Sequence, residues 1–301
     1  MNLCKEFYIF SNFRLEIYTK FIKNFYLVKK YKFIRGNLVK KKIIFFDIDG
    51  TLIVEDKQVI PKSTLKSLKK ARENGHLLFI NTGRSYCSIP EQISELDFDG
   101  YICGCGTHIH FKNESIFEKK IKQEKCFEIA KKLREYNVNG IFEGKDFVYF
   151  DNNKSLTKEI IDIKNMFINQ GINVSKNWDD KDLNFSKFVI WIDEKSNKKD
   201  FFDYILEDFE SIDRGNNFFE IVPKGHTKAT GIEFIQNHLN IELNDCLAIG
   251  DSSNDLPMFN YVPNSILMGN GNPSLYEKVA FVTKDIEDDG IEHALKYFNI
   301  V

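Results

Sequence analysis

The run Lys42-Ile43-Ile44-Phe45-Phe46-Asp47-Ile48-Asp49-Gly50-Thr51-Leu52 constrains this chain more than any other. Large apolar residues end abruptly in two carboxylates, two positions apart, followed by Gly-Thr. The apolar stretch predicts a strand buried on both faces. An unpaired buried carboxylate is very costly, so acids at such a strand's end imply something there that compensates them. Two carboxylates can hold a hard cation such as Mg²⁺. One of them can attack phosphorus, because Asp forms covalent phosphoryl intermediates. Gly50 permits a tight turn with backbone N–H groups turned inward. Taken alone, D-x-D-G-T also fits a solvated loop with a helix-capping Asp.

Two further apolar runs end in polar clusters. His76-Leu-Leu-Phe-Ile80 leads into Asn81-Thr82-Gly83-Arg84, and Asp245-Cys-Leu-Ala-Ile-Gly250 leads into Asp251-Ser-Ser-Asn254-Asp255. Between the first two lies a predicted helix. Leu65, Leu68 and Ala71 recur at near-helical spacing, Pro61 sits near its start and Gly75 follows its end. This strand–helix–strand order builds a parallel sheet, and Gly100–Cys103 and Ser265–Met268 read as further strands. In open α/β sheets ligands bind beyond the carboxyl ends of the strands. Neighbouring strands would therefore bring all three clusters to one site.

The texture changes between residues 118 and 221, where no strand is tipped by carboxylates. Helices are expected near Glu124–Tyr136, Leu156–Asn169 and Lys199–Phe209. Strands are expected at Gly140–Phe142, Phe147–Phe150, Phe188–Ile192 and Phe218–Val222. This block reads as an inserted α/β domain, dividing the core into residues 39–117 and 222–301. Thr230–His238 is the first helix of the second core segment.

The formal charge of −2 conceals an asymmetry. Residues 1–38 hold six Lys and two Arg against two Glu, a net of +6, so the rest of the chain carries −8. An acidic body argues against nucleic acid as a partner. It suits a site that gathers a cation and lets that cation recruit a phosphate. The six cysteines lack disulfide-framework or zinc-site spacing, which points to a reduced, cytoplasmic protein, with Cys246 as a small core residue. Hydrophobic content of 43% and charged content of 29% suit a soluble globular chain of this length.

Four ordered motifs resemble the haloacid dehalogenase superfamily, specifically the Cof-like phosphatases with a large α/β cap. They are Asp47-Ile-Asp49-Gly-Thr51, Asn81-Thr82-Gly83-Arg84, Lys224-Gly-His-Thr-Lys228 and Gly250-Asp251-Ser-Ser-Asn254-Asp255. Met268-Gly-Asn-Gly and Asp288-Asp289-Gly290-Ile291 are also similar to that group, so the resemblance spans Val39 to Val301. It implies a Rossmann-like, doubly wound parallel core with an inserted cap. It implies an Mg²⁺-dependent phosphatase of small phosphomonoesters, with sugar phosphates the default and pyridoxal phosphate or flavin mononucleotide as alternatives. Asp47 would be the nucleophile and Asp49 the general acid/base. Thr82, Gly83, Lys228 and Asn254 would bind phosphate. Asp47, the Asp49 backbone carbonyl and Asp251 would hold the metal, with Asn254 and Asp255 in support. Arg84 fits either a phosphate contact or a structural salt bridge, and Lys224 reads as a hinge or surface residue. Cys105-Gly106-Thr107 stands where the family usually shows Asn-Gly-Ala. The same machinery would serve a phosphosugar mutase or a non-catalytic phosphometabolite sensor.

Two readings fit residues 1–38. If translation starts at Val39, the upstream segment is not native protein and the core folds without it. Alternatively, the segment is a basic amphipathic helix lying on an anionic membrane. Arg14, Glu16, Lys20 and Lys23 interrupt its aromatic stretch, so it does not read as a membrane span.

Overall fold

Two sheets carry the architecture of the computed structural model, which describes residues 40–153 and 156–301. Both readings of residues 1–38 lie outside the described residues. The first core segment contains β1 (Ile43–Phe46), α1 (Lys62–Glu73), β2 (Leu77–Asn81), a short α2 (Glu91–Ser94), β3 (Gly100–Cys103), β4 (His108–Phe111) and β5 (Glu114–Glu118). There follow α3 (Gln123–Glu135), β6 (Asn139–Glu143), β7 (Val148–Phe150), α4 (Lys158–Asn169), β8 (Lys176–Asn177), β9 (Lys187–Trp191), α5 (Lys198–Ile205), β10 (Phe209–Asp213) and β11 (Phe218–Pro223). The core resumes with α6 (Lys228–Leu239), β12 (Cys246–Gly250), α7 (Leu256–Tyr261), β13 (Asn264–Leu267), β14 (Phe281–Val282) and α8 (Gly290–Tyr297).

The core sheet has the order β14-β13-β12-β1-β2-β3-β4-β5. It is parallel from β14 to β3, and β4 and β5 add an antiparallel edge. Strand alternation explains the uninterrupted apolar runs. Ile44, Phe46, Leu78 and Ile80 face Leu68 and Ala71 of α1 and Ile291 and Leu295 of α8. Ile43, Phe45, Leu77 and Phe79 face Ile232 and Ile235 of α6 and Met258 and Phe259 of α7. Both faces are thus covered by helices, as a doubly wound sheet requires. The three polar-tipped strands β12, β1 and β2 are adjacent, so their tips meet.

The inserted sheet has the order β10-β11-β9-β6-β7-β8. One face packs α3 and α5 through Ile129, Leu133, Phe201 and Ile205. The other packs α4 through Ile160 and Phe167. Sequence periodicity carried one helix from Lys199 to Phe209, but α5 ends at Ile205 and Phe209 begins β10. The apolar spacing continues through Leu206 and Phe209, while backbone pairing of Phe209 with Pro223 claims the last residue for the sheet. Residues 41–301 form one compact unit. Among the described residues no helix is long and apolar enough to cross a membrane.

Helix α6 approaches the sheet closely at Gly231, where a Cβ would lie 2.3 Å from Ile102 Cγ2. Alanine there gains roughly 1 kcal/mol of helix propensity, whereas overpacking a tight core contact costs roughly 1–3 kcal/mol. Since Ile102 is itself fully buried on β3, the clash should win. Gly231→Ala is expected to lower Tm by a few degrees in a thermal melt. A higher Tm would show that β3 yields to the added methyl.

Candidate active site

Asp47 follows directly on β1, and its backbone N–H donates to the Ile249 carbonyl of β12 at 2.9 Å, continuing the ladder past the strand's end. Its carboxylate is nearly buried and meets Lys228, whose Nζ lies 2.9 Å from Asp47 Oδ1 and 2.6 Å from Asp255 Oδ1. Lys228 is the first residue of α6. A reciprocal cap between Thr227 and Thr230 fixes that helix start. The Asn81 side-chain amide at the tip of β2 donates to the Lys228 carbonyl at 3.1 Å. Burial works against the Lys228 charge, but Asp255 and Asp47 outweigh it and hold the ammonium strongly protonated.

Asp255 has both oxygens engaged. Oδ1 accepts from Lys228, and Oδ2 accepts from the backbone N–H groups of Asp251 and Ser252 at 2.9 and 3.0 Å. It therefore orients Lys228 and pins the turn that carries Asp251 and Asn254. Asp251 accepts from the Thr51 hydroxyl at 3.2 Å, a partner that sequence reasoning did not single out. A Cβ at Gly50 would lie 2.6 Å from Asp251 Oδ2, and the φ of Gly50 is +73°. Only glycine fits there, on both counts.

Asp47, Asp251 and Asp255 each offer an oxygen within 4.8 Å of the others. Burial pushes Asp47 up to about 7 against the pull of Lys228. Burial, reinforced by the charges of Asp255 and Asp47, pushes Asp251 up to about 8. Carboxylates crowded to this degree suit a hard cation held by oxygen. Asp255 spends three acceptor sites on Lys228 and the turn, so Asp47 and Asp251 have the more open oxygens of the three.

Asp49 lies outside that group. Arg84 holds it with a two-pronged pair, Nε to Oδ2 at 2.7 Å and Nη2 to Oδ1 at 2.9 Å. Burial would raise the Asp49 pKa, but the Arg84 charge and hydrogen bonds outweigh it and hold the carboxyl below its ordinary range. Arg84 thus makes the ion pair that one of its two sequence readings called for. The Thr82 hydroxyl accepts from the Arg84 backbone N–H at 3.1 Å, leaving its own proton for an acceptor in the cavity. Asn254 Oδ1 accepts from Ser252, so its amide N–H₂ is free to donate. Lys224 is exposed, and His226 stacks on Phe117, ring centres 6.0 Å apart. His108 and His110 share a face of β4, away from this site, with Tyr86 stacked on His110.

A cavity of about 410 Å³ joins Asp47, Asp49, Thr82, Gly83 and Asn254 to the inserted sheet. Alternate residues of three adjacent strands face it: Ile141 and Glu143 of β6, Lys187 and Val189 of β9, Phe218 and Glu220 of β11. Lys187 Nζ lies 2.6 Å from Glu220, 3.2 Å from Glu143, and donates to the Gly83 carbonyl at 2.8 Å. A Cβ at Gly83 would lie 2.8 Å from Glu220, so glycine at this position permits the close approach of the inserted sheet. Sequence reasoning missed this trio, because its members are scattered over 78 positions and meet only through strand pairing.

The raised pKa of Asp251 has a thermodynamic sign. Its folded form binds a proton more tightly than its unfolded form does. Without metal, stability is therefore lost as pH rises from about 3.8 toward about 8. Asp251→Asn removes that dependence. In chelator, the Tm of Asp251→Asn minus that of wild type should grow more positive across this window. A pH-independent difference would show that Asp251 is not held protonated by its neighbours.

Comparisons with known proteins agree with this geometry. Residues 44–295 match the family described as haloacid dehalogenase-like hydrolase. The chain is 29% identical over 269 residues to "Putative phosphatase YkrA" of Bacillus subtilis (strain 168), covering 86% of this chain and 98% of that protein. It is 26% identical over 250 residues to HMP-PP phosphatase of Escherichia fergusonii, covering 78% of this chain and 86% of that one. The solved structure of the subclass IIB sugar phosphatase BT4131 superposes with a TM-score of 0.74 at 28% identity, covering 87% of this chain and all of that one. With the family pattern spanning nearly the whole described fold, and its motifs converging on one carboxylate-lined cavity, the chain belongs to the haloacid dehalogenase-like hydrolases.

Proposed function

We propose that this protein is an Mg²⁺-dependent phosphatase of small phosphomonoesters that works through an aspartyl-phosphate on Asp47. The observation that carries the reading is the buried Lys228 bridge between Asp255 and Asp47, the latter lining the cavity. A carboxylate cannot readily approach an anionic phosphate unless cations screen both. Lys228 touches Asp47 itself, so screening is built in at the attacking atom. The Thr82 hydroxyl and the Asn254 amide supply neutral donors around the same space.

In this reading an Asp47 oxygen attacks phosphorus and the bond from phosphorus to the leaving oxygen breaks. Asp49 gives that oxygen a proton. Water then attacks the phosphorus, Asp49 takes the water's proton, and Asp47 is released with inorganic phosphate. The ionised, Arg84-held Asp49 is the form that accepts the proton from water. Donation requires a protonated Asp49, so the charge of the incoming phosphate must answer Arg84 in the first step. Asp47, Asp251 and the Asp49 backbone carbonyl would hold Mg²⁺, which supplies screening of the phosphoryl oxygens.

Hydrolysis of p-nitrophenyl phosphate with Mg²⁺ or with EDTA tests the reading. Asp47→Asn should lower kcat by on the order of 10³-fold or more while the fold is retained. Undiminished hydrolysis in EDTA, or an active Asp47→Asn variant, would overturn it.

Residues 118–221 are the proposed cap that sets substrate choice. The core supplies phosphate and metal contacts, whereas Ile141, Met166, Phe167, Val189 and Phe218 of the insert face the space left for the alcohol. Relatives named for a sugar phosphatase and for an HMP-PP phosphatase support one core serving different leaving groups. Exchanging this block for a relative's should reorder a substrate panel while Asp47 stays essential. An unchanged order would refute the role.

A further inference from the structure

Two of the three cations lining the cavity are already engaged among the described residues. Arg84 is held by Asp49 and Lys187 by Glu143 and Glu220, while Lys228, bound to Asp47 and Asp255, is buried outside the cavity lining. Arg214 is different. It lines the same cavity from the insert, and its Nη1 is buried without a hydrogen-bond partner. A buried guanidinium N–H left unpaired costs free energy that a ligand acceptor would recover.

The backbone around Arg214 is held firmly. It sits in the turn joining β10 to β11, where its N–H donates to the Phe218 carbonyl at 3.0 Å and the Phe218 N–H returns to the Gly215 carbonyl at 2.9 Å. The Asp213 side chain accepts from the Gly215 N–H at 2.8 Å. The Asp213 carbonyl accepts from the Ser253 hydroxyl at 3.3 Å. Ser253 immediately precedes Asn254, so this turn rests on the core loop that faces the phosphate space. Burial would weaken the guanidinium's hold on its proton, but the charges of Glu220, Asp47 and Asp255 more than offset that. Asp47, Thr82 and Asn254 line the same cavity as Arg214.

We infer that Arg214 is a phosphoryl-binding residue contributed by the insert, donating to the group that Asp47 attacks. This deepens the proposed phosphatase reading and rests on it. An arginine fork matches phosphate oxygens better than a point charge does. Arg214 therefore binds the part common to every substrate, and the insert recognises phosphate as well as the alcohol.

Equilibrium binding of inorganic phosphate in the presence of Mg²⁺ tests this apart from turnover, using wild type, Arg214→Gln and Arg214→Lys. Arg214→Gln should weaken phosphate by about 10–100-fold and lower kcat/KM for p-nitrophenyl phosphate by a similar factor. Arg214→Lys should recover only part of both. Unchanged phosphate binding in Arg214→Gln overturns the inference while leaving the site reading intact. A loss confined to substrates with a second anionic group also overturns it, in favour of a contact to the leaving group. Wild type that neither binds phosphate nor hydrolyses the ester overturns the proposed function and this inference together.

Discussion

One ammonium group organises the centre of this molecule. Lys228 Nζ sits between Asp47 and Asp255 with no exposed side-chain surface. Each partner depends on it, since two carboxylates at this depth would otherwise repel one another in a poorly screened space. It also ties distant parts of the chain together. Asp47 ends the central strand, Lys228 opens a helix that follows the insert, and Asp255 closes a turn after β12. The carboxylate cluster, the Gly50 turn and the close seating of α6 on β3 all serve to keep those three groups in register.

The core was legible because its signals are local and continuous. A strand buried on both faces shows itself as an unbroken apolar run, and β1, β2 and β12 each ended where polar residues began. That these tips would converge followed from the general habit of parallel sheets. The matching motifs then supplied the order of Asp47, Thr82, Lys228 and Asp251 along the chain. The pairing of Arg84 with Asp49 was less legible, since an arginine after a Thr-Gly turn can aim either at a ligand or at an acid.

The insert was legible as helices and strands but not as a surface. Glu143, Lys187 and Glu220 occupy alternate positions on separate strands, and nothing local distinguishes them from solvated charges. Arg214 sits in a Gly-Asn-Asn turn that reads as an ordinary exposed loop. Helix α5 was drawn too long because Leu206 and Phe209 prolong an apolar spacing that long-range pairing with Pro223 interrupts. The hairpin of β4 and β5 turns at Lys112 and Asn113, both with positive φ. Only the asparagine is a usual residue for that conformation.

The Lys187 cluster bears on how the insert and the core meet. Glu143, Glu220, Lys187 and Arg214 together carry no net charge, and Lys187 keeps both its carboxylates within the inserted sheet. Its one bond to the core is the Gly83 carbonyl. Other bonds cross here too, from the Ser85 N–H to Glu143 and from the Ser253 hydroxyl to the Asp213 carbonyl, and none of these sets Lys187 against a core carboxylate. Lys187 thus brings its own counter-charges to the junction and takes from the core a neutral carbonyl, so this ammonium is balanced by the inserted sheet that carries it.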